Sequence, residues 1–182
     1  DKMKKLRATR ALISGGASGI GLAIAEALAS QGVELVLVSR RLGLLEQEAA
    51  RLQGRYGVRV LPLTLDLCDG AQVRARYTET RERLGPIDLL VNNSGVGSDY
   101  LVQDLPESEW DRVMDTCAKG TFLLTQACLP DMLAHRHGTI INIASQAAKN
   151  GYARASVYCA AKFAVLGFAK ALREEVQHQG IR

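Results

Sequence analysis

The sequence predicts an α/β fold in which helices cover both faces of a parallel sheet. Short apolar, β-branched runs alternate with longer runs of helical periodicity along the whole chain. The short runs are apolar almost throughout, as in strands that are covered on both faces. With 182 residues, 47% of them hydrophobic, the chain can close one core. Because no linker or repeat divides it, the sequence predicts a single domain over residues 1–182.

Five strands and five helices are predicted in alternation. The strands cover residues 9–14, 33–39, 58–65, 87–92 and 139–144. The helices cover residues 20–30, 42–56, 71–84, 107–134 and 156–177. Asp69 is typical of a helix N-cap and Pro106 of a helix start, whereas Pro130 is expected to kink the fourth helix or end it early. Helix ends are predicted at four glycines: Gly32, Gly57, Gly85 and Gly180.

The charge distribution argues against nucleic acid as a partner. The net charge is +4, and the first ten residues carry five cations and one anion, which accounts for all of it. The basic excess is therefore a short tail and not a basic face with interleaved aromatic residues. No apolar stretch approaches the ~20 residues that a membrane span needs, and the start of the chain lacks the apolar core of a signal peptide. We expect neither a nucleic-acid nor a membrane partner.

The cysteines indicate neither a disulfide framework nor a metal site. Four of them are widely spaced without a C-x-x-C pair, at Cys68, Cys117, Cys128 and Cys159. Reduced thiols and a cytoplasmic location are expected. His135 and His137 lie two apart in a predicted loop without a third ligand, so solvated histidines are favoured over a metal site.

A glycine-rich turn follows the first predicted strand directly. Residues 14–21, SGGASGIG, lead from this strand into a helix. Glycines here let the backbone turn sharply and approach a diphosphate, to which the helix N-terminus offers free N–H groups. A purely structural tight turn is the alternative, and a P-loop lacks its Gly-Lys-Ser/Thr. The candidate dinucleotide-binding residues are Ser14, Gly15, Ser18, Gly19, Ile20 and Gly21.

The end of the second strand favours a phosphorylated dinucleotide. Ser39, Arg40 and Arg41 stand where an NAD site usually places an acidic residue for the adenosine ribose. A guanidinium suits a 2′-phosphate instead, so NADP(H) is the favoured cofactor. Alternatively, the two arginines only solvate the start of the next helix.

Three polar residues near the end of the chain form a candidate catalytic group. Tyr158 and Lys162 are four residues apart at the start of a helix, so they share a face. A cation close to a phenol stabilises the phenolate, which can then exchange a proton with an alcohol or carbonyl oxygen. Ser145, predicted at the carboxyl end of strand five, can hydrogen-bond the same oxygen. A Tyr-x-x-x-Lys pair alone is common, and only its combination with the other motifs makes it informative.

In this combination the sequence resembles the short-chain dehydrogenases/reductases, over essentially all 182 residues. The resemblance rests on the glycine turn, Asp66 after strand three, residues 92–95 (Asn-Asn-Ser-Gly) after strand four, and the serine, tyrosine and lysine above. It implies a three-layered, doubly wound Rossmann-type sheet of order 3-2-1-4-5, continued by two more strands. It also implies a homodimer or homotetramer formed through the fourth and fifth predicted helices.

The resemblance also implies roles for individual residues. Tyr158 would be the general acid/base, Ser145 would orient the substrate carbonyl, and Lys162 would favour the phenolate and bond the nicotinamide ribose. Asp66 and Leu67 would flank the adenine. The cofactor channel would be lined by Asn93, Ser94 and Gly95.

Three departures from the family pattern stand out. Cys117 lies where the family commonly has an asparagine that helps to hold a proton-relaying water, and a thiol is a poorer donor and acceptor. Ser94 replaces the usual alanine. The sequence stops where another strand is expected, which would leave strand five as an open edge, so a chain cut short is expected.

Two functions follow from these observations. The first is an NADP(H)-dependent oxidoreductase that transfers a hydride between the nicotinamide and a small carbonyl or secondary alcohol substrate. The alternative is an NADP(H)-binding regulatory or scaffold protein of the same fold with weak or lost turnover, toward which Cys117 and the missing end point. The complete serine, tyrosine and lysine set favours the enzyme.

Overall fold

The computed structural model describes residues 9–182 and contains one parallel sheet of five strands. The strands are β1 (Arg10–Ser14), β2 (Glu34–Ser39), β3 (Val60–Thr64), β4 (Leu89–Asn92) and β5 (Thr139–Asn142). Their order, β3-β2-β1-β4-β5, confirms the predicted doubly wound sheet. The chain reverses its winding direction at β1, which pairs with both β2 and β4, and ligands bind at such a switch point. Most of the basic tail, residues 1–8, lies outside the described residues.

Within the described residues 9–182, six α-helices connect and cover the strands. They are α1 (Gly19–Ala29), α2 (Leu42–Tyr56), α3 (Gly70–Leu84), α4 (Glu107–Met114), α5 (Gly120–His135) and α6 (Ser156–Val176). Four of the predicted helices are confirmed to within one residue at each end. The carboxylate of Asp69 caps α3, and Gly57, with a φ of +68°, ends α2 in the left-handed conformation, both as predicted.

The fourth predicted helix differs from the expectation of one regular α-helix. A π-helical segment, Asp115–Lys119, separates α4 from α5, although the backbone remains helical throughout. A π-helical turn widens the helix locally and is frequent at functional sites. Pro130 lies inside α5, which continues to His135 and does not end early. His135 is therefore the last helical residue and not a loop residue, and its Nδ1 lies 2.7 Å from the carbonyl oxygen of Asp131.

The core is divided between the two faces of the sheet. On one face α1 and α2 cover alternate side chains of the central strands. On the other face α3, α5 and α6 cover the intervening side chains. The alternation along β1, where Ala11 and Ile13 face one side and Leu12 the other, shows why the central strands are apolar throughout. The three layers of the predicted architecture are thus present.

Strand β5 is shorter than predicted and partly exposed. It ends at Asn142 rather than at residue 144, and Ile141 is 42% exposed. After α6 the chain turns at Gly180, Ile181 pairs with Gly138, and the amide of Ile140 donates to the carbonyl of Arg182 at 2.7 Å. The predicted turn toward a further strand is confirmed, and the expected open edge is therefore covered over its first residues. Within residues 9–182, no helix has both the length and the apolar character needed to cross a membrane.

Candidate active site

The glycine-rich turn is held tightly between β1, β2 and α1. The amides of Gly15 and Gly16 donate to the carbonyl of Val38 at 2.8 and 3.3 Å. Gly15 has a φ of +64°, and a Cβ at Gly21 would lie 2.2 Å from the carbonyl oxygen of Gly15. Side chains are excluded at both positions, so the turn brings the start of α1 as close to the strand as backbone atoms permit.

The N-terminus of α1 is left without a side-chain cap. Ser18 occupies the N-cap position in extended conformation, but no side chain accepts from the first amides of the helix. The hydroxyl of Ser18 instead accepts from Nη2 of Arg41 at 2.9 Å. A Cβ at Gly19 would meet nothing within 4 Å, so the space beside this helix end is open. Free amides, the helix dipole and a nearby guanidinium together suit a phosphate group.

Ser14, the last residue of β1, holds the loop that follows β4. Its side chain is 1% exposed, and its hydroxyl accepts from the amides of Asn93 and Ser94, both at 2.9 Å. The side-chain Nδ2 of Asn93 in turn donates to the carbonyl of Ser14 at 3.0 Å. Both lone pairs of its hydroxyl are engaged in fixing the loop after β4, and direct contact of Ser14 with a cofactor stays a prediction.

A cleft of about 370 Å³ opens at the carboxyl ends of the strands beside this turn. It brings together ten of the predicted cofactor residues: Gly15, Ser18, Ser39, Arg40, Arg41, Asp66, Leu67, Asn93, Ser94 and Gly95. Gly19, Ile20 and Gly21 form the adjoining first turn of α1, whereas Tyr158 and Lys162 lie outside the cleft wall. Arg40 and Arg41 are exposed at one end, where their charges meet solvent or an anion.

Sequence reasoning missed five further residues of the cleft wall: Val38, Leu65, Cys68, Val96 and Thr116. The amide of Cys68 donates to the carboxylate of Asp66 at 3.0 Å, so the position two residues after Asp66 could have indicated it. Burial raises the pKa of the Cys68 thiol, which keeps it protonated at neutral pH. Thr116 carried no signal, because the π-helical segment that places it in the cleft was not predicted.

Tyr158 and Lys162 meet on one face of the first two turns of α6. The ammonium of Lys162 lies 5.8 Å from the centre of the Tyr158 ring. Lys162 is only 5% exposed and donates to the carbonyl of Ile143 at 2.9 Å, just beyond the end of β5. A buried cation is costly unless it is hydrogen-bonded, so its position beside a half-buried phenol is a strong feature of this site.

Ser145 lies three residues beyond β5, whereas the predicted strand, residues 139–144, would have placed it directly after the strand end. It is half-buried and caps the short 3₁₀ turn Gln146–Ala148, with its hydroxyl accepting from the amide of Ala147 at 3.1 Å. The hydroxyl proton remains available as a donor, because this bond uses only a lone pair. The turn packs against α6, the helix that carries Tyr158.

Cys117 lies at the floor of the site within the π-helical segment. Its thiol is buried, receives the amide of Val96 at 3.4 Å and donates to the carbonyl of the same residue at 3.6 Å. A Cβ added to Gly95 would lie 3.6 Å from this sulfur and 3.5 Å from the Lys162 nitrogen. The thiol therefore fastens the loop after β4 to the π-helical segment, next to the lysine.

Comparison with known proteins identifies the family. The model of the short chain dehydrogenase family matches residues 9–182. The chain is 35% identical over 170 residues to 2-(S)-hydroxypropyl-CoM dehydrogenase 3 of Xanthobacter autotrophicus, covering 93% of this chain and 66% of that protein. It is 33% identical over 171 residues to the 3-oxoacyl-acyl-carrier-protein reductase of Escherichia coli, covering 94% and 68%. The chain thus belongs to the short chain dehydrogenase family and spans about two thirds of the length of these relatives.

Solved structures agree with this assignment. L-sorbose reductase from Gluconobacter frateurii, solved with NADPH and L-sorbose, superposes with a TM-score of 0.92 at 34% identity, covering 96% of this chain and 66% of that one. A metagenomic short-chain oxidoreductase solved with NADP gives a TM-score of 0.92 at 32% identity, covering 96% and 79%. The fold of residues 9–182 is therefore that of short-chain oxidoreductases.

Proposed function

We propose that this protein is an NADP(H)-dependent oxidoreductase that interconverts a carbonyl compound and a secondary alcohol, with Tyr158 as general acid/base. The observation that carries this proposal is the buried ammonium of Lys162, 5.8 Å from the centre of the Tyr158 ring, at the strand ends that also form the cleft. Relatives named as dehydrogenases and reductases support the same class of reaction.

The cleft fits a phosphorylated dinucleotide. The uncapped N-terminus of α1 and the open space beside Gly19 would take the diphosphate. The exposed guanidinium of Arg40, with Ser39 and Arg41, would hold a 2′-phosphate, and Asp66 and Leu67 would flank the adenine. Structures solved with NADPH or NADP support this choice. When bound, NADPH supplies the hydride for the carbonyl carbon.

The residues of the chain supply the proton. The Tyr158 hydroxyl donates its proton to the carbonyl oxygen during reduction, and the Tyr158 phenolate accepts a proton from the alcohol during oxidation. The Ser145 hydroxyl donates a hydrogen bond to the same oxygen and fixes its position. The Lys162 ammonium stabilises the phenolate that Tyr158 becomes after giving up its proton, because opposite charges attract strongly in a dry site.

NADPH oxidation by the 182-residue chain tests this proposal against cofactor binding alone. The probes are acetophenone, 2,3-butanedione and ethyl acetoacetate, and a parallel fluorescence titration measures the NADPH dissociation constant. We expect saturable NADPH binding and consumption of NADPH with at least one probe. Saturable binding without consumption for any compound would favour the regulatory or scaffold alternative.

Substitution at position 117 tests whether the thiol limits the rate. We expect Cys117→Asn to raise kcat up to about fivefold, a barrier difference of about 1 kcal/mol, because an amide can hold a proton-relaying water that a thiol holds poorly. Cys117→Ala is the matched variant and should lower kcat, since it frees the loop after β4. An unchanged rate in the asparagine variant would show that Cys117 costs no activity.

The same proposal includes self-association through the helical run 107–135 and α6. Exposed aromatic side chains lie on these elements, among them Trp110 (42%), Phe122 (42%) and Phe163 (48%). Phe122 packs edge-on against Phe168 at 6.2 Å, which forms an apolar ridge between α5 and α6. Analytical ultracentrifugation should give a dimer or tetramer, and Phe163→Asp should shift it toward monomer. A monomeric parent chain would refute the association.

A further inference from the structure

The loop after β4 is joined to the residues before α6 by contacts of Asp99 and Tyr100 with Arg154 and Ala155, which we call the link. Nε of Arg154 donates to Oδ1 of Asp99 at 2.7 Å, and its Nη2 lies 3.4 Å from Oδ2. The amide of Tyr100 donates to the carbonyl of Arg154 at 2.9 Å, and Tyr100 and Ala155 form a parallel bridge. Ala155 precedes the first residue of α6, and its carbonyl accepts from the amide of Cys159 at 2.8 Å. The link therefore ends on the helix turn that carries Tyr158.

The backbone at Arg154 is strained. Its φ of +67° lies in the left-handed region, which is unfavourable for a residue with a Cβ. Within residues 9–182 the other non-glycine residue of this kind is Arg136, which ends α5, where the left-handed conformation is common. A glycine would adopt the Arg154 conformation without cost. A non-glycine residue in a strained conformation next to a candidate site points to a functional role for its side chain.

Stability does not explain the Asp99–Arg154 pair. The side chain of Asp99 is 79% exposed and that of Arg154 is 52% exposed, and ion pairs in water contribute little to folding. The hydrogen bond from Arg154 lowers the pKa of the Asp99 carboxyl, so the pair stays charged at neutral pH. The pair instead fixes an orientation. The planar guanidinium of Arg154 and the carboxylate of Asp99 hold the loop after β4 and the residues before α6 in one relative orientation.

The link holds an apolar segment against the residues that directly precede α6. Tyr100, Leu101 and Val102 follow Asp99 directly and are 40%, 45% and 73% exposed. Tyr152, two residues before Arg154, is 50% exposed. Several large apolar side chains thus remain in water on either side of the link. Tyr152 precedes Tyr158 by six residues, and Tyr100 is bridged to Ala155, three residues before Tyr158. Exposed apolar groups rimming a polar site are typical of a surface that contacts the apolar part of a ligand.

We propose that Asp99 and Arg154 are positioning residues that hold the segment from Tyr100 to Val102 against the start of α6, where it forms the wall for apolar substituents of the carbonyl substrate. This inference rests on the proposed function of Tyr158. It predicts that the link determines KM for carbonyl compounds with a large apolar group and matters little for small ones.

Two variants test the link by two independent readouts. Arg154→Gly removes both the ion pair and the backbone strain, because glycine adopts a positive φ without steric cost. In Asp99→Asn only the charge is removed. We expect hydrogen exchange at the Tyr100 amide to become about tenfold faster in both, because the segment opens locally more often. We expect KM for acetophenone to rise about fivefold, with kcat and the KM for 2,3-butanedione within about twofold of the parent.

The controls separate the link from the proposed function. Glu79→Gln breaks a comparable exposed ion pair with Arg76 on α3 and should leave both readouts unchanged. If the parent chain turns over none of the probes, the proposed function fails, whereas exchange at the Tyr100 amide still tests the link. Unchanged exchange and unchanged KM in both variants would overturn the link. An equal rise in KM for both ketones would overturn its role as an apolar wall.

Discussion

The N-termini of α1 and α3 lie at the same edge of the sheet, yet only that of α3 has a side-chain cap. At α3 the carboxylate of Asp69 accepts from the amides of Ala71 and Gln72, both at 3.0 Å, so the helix closes its own end. At α1 the hydroxyl of Ser18, the residue in the equivalent position, accepts from Arg41 and does not cap the helix amides. A helix end that lacks its own cap has room for an anion from outside.

The charges around the two helix ends differ in the same sense. Asp69 supplies the negative charge that the positive end of the α3 dipole favours. Around α1, Arg40 and Arg41 add positive charge to an end that is already positive. Such an arrangement is unfavourable for the empty helix and favourable once phosphates are present. The comparison therefore favours α1 over α3 as the helix end that would take the anionic groups of the proposed cofactor.

Ser18→Asp should have the largest effect, because it gives α1 the cap that α3 has. A carboxylate would accept from the helix amides and repel phosphates, so we expect the NADPH dissociation constant to rise about 100-fold, while the free energy of unfolding rises by up to about 1 kcal/mol. Fluorescence titration and urea unfolding measure the two effects. Ser18→Ala should change the NADPH affinity far less. Equal NADPH affinities of the aspartate and alanine variants would contradict phosphate binding at the uncapped N-terminus of α1.

Gly21→Ala should weaken cofactor binding by crowding the turn. The new Cβ would lie 2.2 Å from the Gly15 carbonyl oxygen, so the helix must move away from the strand. We expect an NADPH dissociation constant about 30-fold higher and a loss of about 1–3 kcal/mol in unfolding free energy. Gly54→Ala on α2, where a Cβ meets nothing within 4 Å, is the control and should be neutral or stabilising. An unaffected Gly21→Ala variant would argue against close approach of the turn.

Arg40→Asp should reverse the charge that selects the phosphorylated cofactor. We expect the ratio of NADPH to NADH affinity to fall about tenfold, since a charged hydrogen bond to phosphate is replaced by repulsion. Competitive titration with both nucleotides measures this ratio. An unchanged preference would leave Arg40 as a residue that only solvates the start of α2.

Asp69→Ala should have the smallest effect and none on the cofactor. Loss of an N-cap costs about 0.5–2 kcal/mol of stability, and the α3 end lies apart from the diphosphate site. Urea unfolding should show this loss, whereas the NADPH dissociation constant should match that of the parent chain. A clear loss of NADPH affinity would show that the two helix ends do not act separately.

Local patterns predicted most of the fold and the cofactor side of the site. Three features depend on residues that lie close together in sequence: the alternation of strands and helices, the Asp69 cap and the glycine turn. Each of them could therefore be predicted from the sequence. Ser39 and Arg40 were predicted to line the site because strand ends gather at one edge of a parallel sheet. The side-chain contacts of these residues required the structure, as the bond from Arg41 to Ser18 shows.

What the sequence could not predict depends on distant contacts. The π-helical segment arises inside a continuous helical pattern and brings Cys117 to Val96, which lies 21 residues earlier. The Asp99–Arg154 link joins residues 55 apart, and neither belongs to a recognisable motif. Ser14 stood in the expected motif, yet its buried hydroxyl holds the loop after β4, a role that only the tertiary fold reveals.

Replacement of Tyr158 by phenylalanine is the most direct test of the central claim, that its hydroxyl moves the proton. NADPH oxidation should be followed for the parent chain and for Tyr158→Phe with the same carbonyl probe, together with the NADPH dissociation constant. The account predicts that the variant binds NADPH as the parent does and loses at least about 100-fold in kcat, the usual contribution of general acid catalysis. A variant that keeps the parent's kcat would contradict the role of Tyr158.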